Sequence, residues 1–199
     1  MIQLPLAGAR TKPLCGYRAV FIDRDGTVNV KAPNGQYVTS PAELSLIPGA
    51  AAAIFRLNAA RARVILVTNQ RWLSGAAGDL FGYTQVHARL EELLAANGAH
   101  LDAAYYCPHA SRSCGCRKPE PGMLQRAARQ HQIPLSAAVM IGDSETDVAA
   151  GRAAGTATIL LRSGQQIASR NADFIVEDLA EAVRLILNGQ ERSSGPVSE

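Results

Sequence analysis

The stretch RAVFIDRDGT, residues 18–27, joins a short apolar run to two aspartates and a glycine. The apolar residues before Asp23 are typical of a buried strand, and the charged residues mark its end. Asp25 follows two positions later, Gly26 allows a sharp turn and Thr27 adds a hydroxyl group. Because two adjacent carboxylates repel each other unless a cation lies between them, this pattern predicts a divalent metal site.

Asp-x-Asp-Gly by itself also occurs in surface turns and in calcium loops. A calcium loop needs a glutamate several positions later, and residues 30–36 (VKAPNGQ) contain none. The metal-site interpretation therefore depends on what the rest of the chain places beside Asp23 and Asp25.

The remainder of the chain alternates between strand and helix patterns. Apolar strands are predicted at 62–70, 101–107, 136–143 and 156–161, and helices at 51–62, 83–96, 122–132, 145–155 and 179–188. Thr84 is expected to be the N-cap of the second helix. Nearly all-apolar strands alternating with helices predict an α/β fold with a central parallel sheet covered on both faces. We expect a single domain at 17–188, an N-terminal extension at 1–16 and a disordered tail at 189–199.

Four of the predicted strands end in polar motifs. These are Asp23–Thr27, the TNQ of residues 68–70, the cysteine loop that begins at Cys107, and the GDSETD of residues 142–147. In doubly wound folds, ligands bind at the carboxyl ends of the strands, so the four segments are expected to converge. Asp143 then becomes a third oxygen ligand, and this donor set suits a hard cation such as Mg²⁺.

The cysteine loop, CPHASRSCGCRKP at residues 107–119, contains a second candidate metal site. Cys107, His109, Cys114 and Cys116 supply three thiolates and one imidazole, a tetrahedral set suited to structural Zn²⁺. A redox pair would need a C-x-x-C motif, which the loop lacks. The cations Arg117 and Lys118 follow the last ligand directly. A metal that fixes the loop would therefore also fix these two side chains.

The motifs DRDGT, VTNQ, CRKP and GDSETD resemble, in order, the four motifs of the haloacid-dehalogenase-like (HAD) phosphatases, and they span Asp23 to Asp147. Together with the cysteine loop they are similar to the histidinol-phosphatase and heptose-bisphosphate-phosphatase branch (subfamily IIIA, zinc-loop type). This resemblance implies a Rossmann-like three-layer sandwich without a large cap domain and with a small zinc-binding loop. It also implies Mg²⁺-dependent hydrolysis of a phosphomonoester through an aspartyl-phosphate.

The resemblance assigns a role to each residue of the motifs. Asp23 would be the nucleophile, and Asp25 the general acid and then the general base. Thr68 and Lys118 would bind the phosphoryl group, and Asp147 would orient Lys118 or a metal-bound water. Mg²⁺ would bind Asp23, the backbone carbonyl of Asp25 and Asp143, while substrate contacts would come from Asn69, Arg117 and Arg71.

The substrate is the least determined property. The favoured substrate is D-glycero-D-manno-heptose 1,7-bisphosphate with removal of the 7-phosphate, and histidinol phosphate or another sugar phosphate is the alternative. The loop after Gln70 departs from the pattern of the heptose branch, because Arg71, Trp72 and Leu73 stand where a Ser-Gly pair is usual. Arg71 could bind a second phosphate, and Trp72 could stack on a sugar or cover the core.

Other functional classes fit the composition less well. A net charge of +3 and 5% aromatic residues argue against nucleic acid as a partner, and hence against a nucleic-acid 3′-end phosphatase. No apolar run approaches the roughly 18 residues of a membrane span, and no secretion signal is evident, so a cytoplasmic location is expected. A monomer is the default expectation. A catalytically silent, zinc-stapled binding module remains the alternative from a different class, although none of the motif residues is missing.

Overall fold

A computed structural model of the chain describes residues 17–74, 79–110, 114–162, 169 and 171–191. The predicted N-terminal extension at 1–16 and residues 192–199 of the predicted tail lie outside these ranges. The described ranges contain no helix that is both long enough and apolar enough to cross a membrane.

Six strands form one parallel sheet in the order β3-β2-β1-β4-β5-β6. The predicted parallel α/β sandwich is confirmed. The sixth strand is absent from the prediction because it has only three residues and two of them are half-buried, which leaves no clear pattern. The strands are β1 (Ala19–Ile22), β2 (Arg63–Asn69), β3 (Ala103–Cys107), β4 (Ala138–Gly142), β5 (Ala157–Leu161) and β6 (Phe174–Val176).

Helices cover both faces of the sheet. They are α1 (Ala50–Ala59), α2 (Leu80–Ala95), α3 (Gly122–His131), α4 (Glu145–Ala154) and α5 (Leu179–Glu191). Alternate residues of β1 point to opposite faces, so Ile22 joins the core under α1, α2 and α5, and Phe21 joins the core under α3 and α4. In the described ranges, the connections between strands contain no second domain that could serve as a cap.

Three helix ends differ from their predicted positions by three residues, and one of them is the end of α1, at Ala59 instead of residue 62. Thr84 is not the N-cap of α2, because Asp79 holds that position and the Thr84 hydroxyl donates to the Phe81 carbonyl inside the helix. The first turn of α2 was not predicted, because its apolar residues do not belong to the buried face of the helix. Leu80 and Phe81 are 55% and 73% exposed, and the buried residues of α2 begin at Tyr83. At the other end of the chain, α5 continues to Glu191, three residues into the segment predicted as a tail.

The position of β1 determines where the site lies. β1 is hydrogen-bonded to β2 on one side and to β4 on the other, with Ile22 opposite Leu66 and Ile141. The Asp23 amide continues this pairing by donating to the Ile141 carbonyl at 3.0 Å. The chain segments that follow β1, β2 and β4 therefore leave the sheet side by side, at its carboxyl edge.

Candidate active site

A cavity of about 280 Å³ lies at the carboxyl edge of the sheet, where three of the predicted motifs and the end of the cysteine loop meet. The sequence analysis names most of its polar lining, and the structure adds Lys31 to that set. The polar lining includes Asp23, Asp25, Lys31, Thr68, Asn69, Lys118, Asp143, Ser144, Thr146 and Asp147.

Lys118 lies at the centre of the site and is 3% exposed. Its ammonium nitrogen is 2.7 Å from Asp23 Oδ1 and 2.6 Å from Asp147 Oδ1, and it donates to the Val67 carbonyl at 2.8 Å. An ammonium group has three N–H donors, so all of them are used inside the protein.

Burial dominates the electrostatics of Asp23. It raises the pKa of this carboxyl group to about 7, because desolvation penalises the anion. Lys118 opposes the shift, while the charge of Asp147 adds to it. Burial alone would lower the pKa of Lys118, but the two carboxylates outweigh it and hold that pKa above its usual value. Lys118 is therefore charged at neutral pH.

Asp147 joins Lys118 to the start of α4. Its Oδ2 accepts hydrogen bonds from the Ser144 amide at 3.1 Å and from the Ser144 hydroxyl at 2.6 Å. These bonds form a capping box with Ser144 as the N-cap. Gly142 leaves room for this arrangement, since a side chain there would overlap the Asp147 carboxylate. Of the two roles predicted for Asp147, the contact with Lys118 is the one that the structure contains.

Asp25 is held by hydrogen-bond donors on several sides. Arg24 reaches its two oxygens at 3.1 Å through Nη2, and the side-chain amides of Asn29 and Gln70 donate to it at 2.9 Å each. Gln70 in turn accepts a bond of 2.7 Å from the indole N–H of Trp72. Trp72 is half-buried, and this indole bond fixes the far end of the network around Asp25.

Arg24, Asn29 and Gln70 were not predicted as site residues. Arginine is among the residues least often buried, so Arg24 was expected at the surface, whereas the structure buries it fully. The available signal was its position between Asp23 and Asp25. A cation between two carboxylates in sequence is well placed to pair with one of them.

The carboxylates of Asp23, Asp143 and Asp147 form a group that could hold a hard cation. One oxygen from each lies within 4.8 Å of the others. Asp143 Oδ1 is buried and has no hydrogen-bond partner within the described ranges, which is costly for an anionic oxygen without a ligand. Gly26, at φ +88°, gives access to this group because a Cβ there would overlap the Asp143 carboxylate. The donor set and the unpartnered oxygen both fit Mg²⁺.

Asn69 and Thr68 both make protein contacts beside the cavity. The Asn69 side chain donates to the Lys118 carbonyl at 3.0 Å and accepts from the Lys118 amide at 3.1 Å. Asn69, predicted as a substrate ligand, therefore clamps the Lys118 backbone on the carboxyl end of β2. The Thr68 hydroxyl accepts a bond of 2.8 Å from Gln70 Nε2, and its own hydrogen remains for another acceptor.

The predicted zinc ligands converge beside this site. The Sγ atoms of Cys107, Cys114 and Cys116 lie 3.2 to 3.5 Å apart, and His109 Nδ1 lies 3.3 Å from Cys116 Sγ. Bonds of about 2.3 Å to a central zinc would set tetrahedral sulfur atoms about 3.8 Å apart, close to these separations, whereas a disulfide would need about 2.05 Å. Burial and the neighbouring thiols raise the pKa of Cys116 to about 12, so a cation is needed to make it a thiolate ligand.

Arg117 and Arg71 occupy different surroundings. Arg117 lines a second cavity of about 660 Å³, which shares Asn69, Lys118 and Thr146 with the first. Its guanidinium donates to the His109 carbonyl at 3.3 Å, and this bond connects it to the cysteine loop. Arg71 is exposed in a short 3₁₀ turn and lines neither cavity in the described part of the chain.

Comparison with known proteins places these features in a family. The HAD-hydrolase-like family model matches residues 115–182. The D-glycero-D-manno-heptose-1,7-bisphosphate 7-phosphatase of Thermosynechococcus vestitus is 43% identical to this chain, over 84% of the chain and 94% of that protein. The chain belongs to the HAD-like phosphatases.

Other HAD-like phosphatases support the assignment from sequence and from structure. The D-glycero-β-D-manno-heptose-1,7-bisphosphate 7-phosphatase of Photorhabdus laumondii is 35% identical, over 86% of this chain and 96% of that protein. The crystal structure of D,D-heptose 1,7-bisphosphate phosphatase from B. bronchiseptica, complexed with magnesium and phosphate, superposes with a TM-score of 0.76 at 32% identity. That match covers 86% of this chain and 98% of the B. bronchiseptica protein.

Proposed function

We propose that this phosphatase hydrolyses a small sugar phosphate through an aspartyl-phosphate on Asp23, with Mg²⁺ as cofactor. The preferred substrate in this proposal is D-glycero-D-manno-heptose 1,7-bisphosphate, which would lose its 7-phosphate. Relatives of 35% and 43% identity carry the name of this activity, and the matches cover 96% and 94% of those proteins. The structural relative that binds magnesium and phosphate supports the choice of metal.

The observation that carries the proposal is the setting of Asp23. Its carboxylate lies at the end of the central strand, faces the 280 Å³ cavity and contacts the buried ammonium group of Lys118. A carboxylate attacking phosphorus needs a nearby positive charge that stabilises the charge on the phosphoryl oxygens without taking the nucleophile's place. Lys118, held on two other sides by Asp147 and Val67, meets that requirement.

The proposed first step forms a bond between Asp23 and phosphorus and breaks the bond to the sugar oxygen. Asp25 gives its proton to that leaving oxygen. In the second step Asp25 takes a proton from water, whose oxygen attacks the phosphorus and releases Asp23. The hydrogen bonds from Arg24, Asn29 and Gln70 hold the Asp25 carboxyl group in one orientation for both transfers.

Mg²⁺ would be held by Asp23, Asp143 and the backbone carbonyl of Asp25, and when bound it would supply positive charge beside the phosphoryl group. Thr68 would donate its hydroxyl hydrogen to a phosphoryl oxygen. Zn²⁺ in the four-ligand set of the cysteine loop would be structural, because all of its coordination positions are filled by protein. Asn69 would act mainly through Lys118, whose backbone it clamps.

The second cavity supports a substrate with two anionic groups. It adjoins the first along Asn69 and Lys118, and Arg117 is part of its lining. With one phosphate beside Asp23, a sugar long enough to enter the second cavity would bring its other phosphate to Arg117. A monophosphate such as histidinol phosphate would bring no second phosphate to Arg117. Arg71 would contribute a further contact only if its side chain turns toward the substrate.

The test is a phosphate-release screen over sugar monophosphates, sugar bisphosphates and histidinol phosphate, with and without Mg²⁺, using wild type and Asp23→Asn. We expect the highest kcat/KM for the heptose 1,7-bisphosphate and no turnover by Asp23→Asn. A higher kcat/KM for histidinol phosphate would refute the substrate assignment. The absence of Mg²⁺-dependent turnover of every ester would leave a zinc-stapled binding module as the better description.

We further propose that the enzyme works as a monomer in the cytoplasm, as one domain at 17–188 with an N-terminal extension. A reducing compartment keeps the three thiols of the cysteine loop available for zinc, whereas an oxidising one favours disulfides. The proposed partner is the small phosphate ester alone, with neither nucleic acid nor a membrane involved.

A further inference from the structure

Lys31 contacts the proposed magnesium site from a segment outside the family motifs. Its ammonium nitrogen lies 2.5 Å from Asp143 Oδ2. The two side chains differ in environment, since that of Lys31 is 55% exposed and that of Asp143 is 9% exposed. The contact therefore joins an exposed cation at the surface to a largely buried anion.

The segment that carries Lys31 forms the outer wall of the active-site cavity. Its backbone is fixed on one side by the Val30 amide, which donates to the Ser45 carbonyl at 2.9 Å. On the other side, a 3₁₀ turn at Pro33–Gly35 closes the segment. The backbone of Lys31 is therefore held in place, and its long, exposed side chain lies above the cavity. The members of the wall that line the cavity are Lys31, Ala32, Gly35, Gln36 and Tyr37.

The charges in the cavity show why this cation matters. Among the residues that the structure describes, four carboxylates line it and two ammonium groups, those of Lys31 and Lys118. The three N–H donors of Lys118 are already used by Asp23, Asp147 and Val67. Of the two lysines, Lys31 is thus the one that can change partner without breaking a buried network.

Asp143 has two competing uses. Its Oδ1 is buried without a partner and its Oδ2 is paired with Lys31, while the proposed metal site needs the same carboxylate as a ligand. An ammonium group on Oδ2 makes Oδ1 of the same carboxylate a poorer metal ligand, because it neutralises the carboxylate charge and repels a second cation a few ångströms away. Metal binding at Asp143 and the Lys31 contact therefore oppose each other.

We propose that Lys31 is an exchangeable counter-ion. It neutralises Asp143 while the metal is absent. Once Asp143 binds Mg²⁺, Lys31 releases it and donates to an oxygen of the phosphate group in the same cavity. The donation to phosphate rests on the proposed phosphatase function, whereas the neutralisation of Asp143 rests only on Asp143 as a metal ligand. Lys31 is in this sense a substrate-positioning residue that also sets the apparent affinity for the metal.

The first measurement is calorimetric titration of Mg²⁺ into magnesium-free protein that keeps its zinc, without substrate. Lys31→Gln is expected to bind Mg²⁺ about two- to fivefold more tightly than wild type, the range for removing a competing ion pair of this exposure. Lys31→Arg, which keeps the charge, should bind Mg²⁺ as wild type does. Arg56→Gln removes an exposed cation of α1 that lines neither cavity, and it should also leave the affinity unchanged.

The second measurement is titration of inorganic phosphate into the Mg²⁺-loaded protein. Lys31→Gln should bind phosphate about tenfold more weakly, since one charge-assisted hydrogen bond is lost, and Lys31→Arg should restore most of the affinity. Circular dichroism of each variant checks the fold. Unchanged or weaker Mg²⁺ binding by Lys31→Gln would overturn the exchange, and unchanged phosphate binding would overturn the role toward substrate. Neither titration needs turnover, so failure of the phosphatase assignment would be seen separately in the ester screen.

Discussion

The contacts of Lys118 lead to a quantitative prediction about stability. Lys118→Met removes the cation between two buried carboxylates, which then face each other across the site. With charge centres about 4 Å apart and an effective dielectric constant of about 20, each ion pair contributes about 4 kcal/mol of attraction. The cost of desolvating the three charges offsets much of this sum. We therefore expect Lys118→Met to lower the free energy of unfolding by about 3–5 kcal/mol in metal-free protein.

A double-mutant cycle separates the interaction between Lys118 and Asp147 from general damage to the core. Asp147→Asn should cost less, about 1–3 kcal/mol, because Lys118 keeps Asp23 and the Val67 carbonyl as partners. In the double variant, Asp23 is the one ionisable residue left of the cluster formed by Asp23, Lys118 and Asp147. The cost should then fall short of the sum of the single costs by about 2 kcal/mol.

Urea denaturation followed by circular dichroism at pH 7 with EDTA provides the measurement. Arg129→Met, which removes an exposed cation of α3, is the control and should change stability by less than about 0.5 kcal/mol. Addition of Mg²⁺ should reduce the cost of Lys118→Met, because a second cation then neutralises Asp23. Single costs that add to within about 0.5 kcal/mol would show that Lys118 and Asp147 are not coupled, and the reasoning would fail.

Three further predictions follow from the same site. In EDTA-treated protein, the pKa of Asp23 is about 7 when folded against a usual 3.8, so the folded state holds a proton that the unfolded chain releases. The contribution of the Asp23 carboxyl group to the free energy of unfolding should therefore decrease as pH rises from about 4 to 7. Over this range the Tm of Asp23→Asn should fall less steeply with pH than the Tm of wild type, and equal slopes of Tm against pH would contradict the prediction. Cys114→Ser protein shown to be free of zinc should lose turnover of p-nitrophenyl phosphate by at least about tenfold and become open to proteolysis in the loop; full activity would disprove the bracing role. Trp72→Phe removes the indole bond to Gln70 and should lower kcat about two- to tenfold and shift the pH profile, with KM unchanged; a change in KM alone would instead indicate that the indole contacts substrate.

Sequence reasoning succeeded where a residue's role is local. The strand ends could be predicted because an apolar run followed by aspartate or asparagine is readable within about ten residues. The parallel sheet then brings Asp23, Thr68 and Asp143 together without further information, since β2, β1 and β4 are neighbours. The zinc ligands were also readable, because all four belong to one loop of ten residues.

The missed residues depend on contacts made in three dimensions. Lys31 is separated by 112 positions from Asp143, and nothing in the intervening sequence indicates that the two side chains meet. Arg24 was missed because its burial depends on hydrogen bonds to both Asp25 and Gln70, and Gln70 is distant in sequence. Asn69 was predicted as a substrate contact, and the structure adds a contact that the sequence did not indicate, the hydrogen bond from its amide to the Lys118 carbonyl. Such roles are visible only once the fold sets distances between side chains.

The position of Lys118 is fixed from three independent directions, and this explains how the proposed structural zinc would affect a reaction whose groups it does not contact. Asn69 on β2 holds its backbone, Asp147 on α4 holds its ammonium group, and Cys116 anchors the loop two residues earlier. A flexible side chain in a loop would have to be ordered each time substrate binds, at an entropic cost. Here the ordering is completed during folding. Loss of any one anchor should therefore reduce catalysis more than it reduces phosphate binding, because the transition state requires tighter placement of the cation than the ground state does.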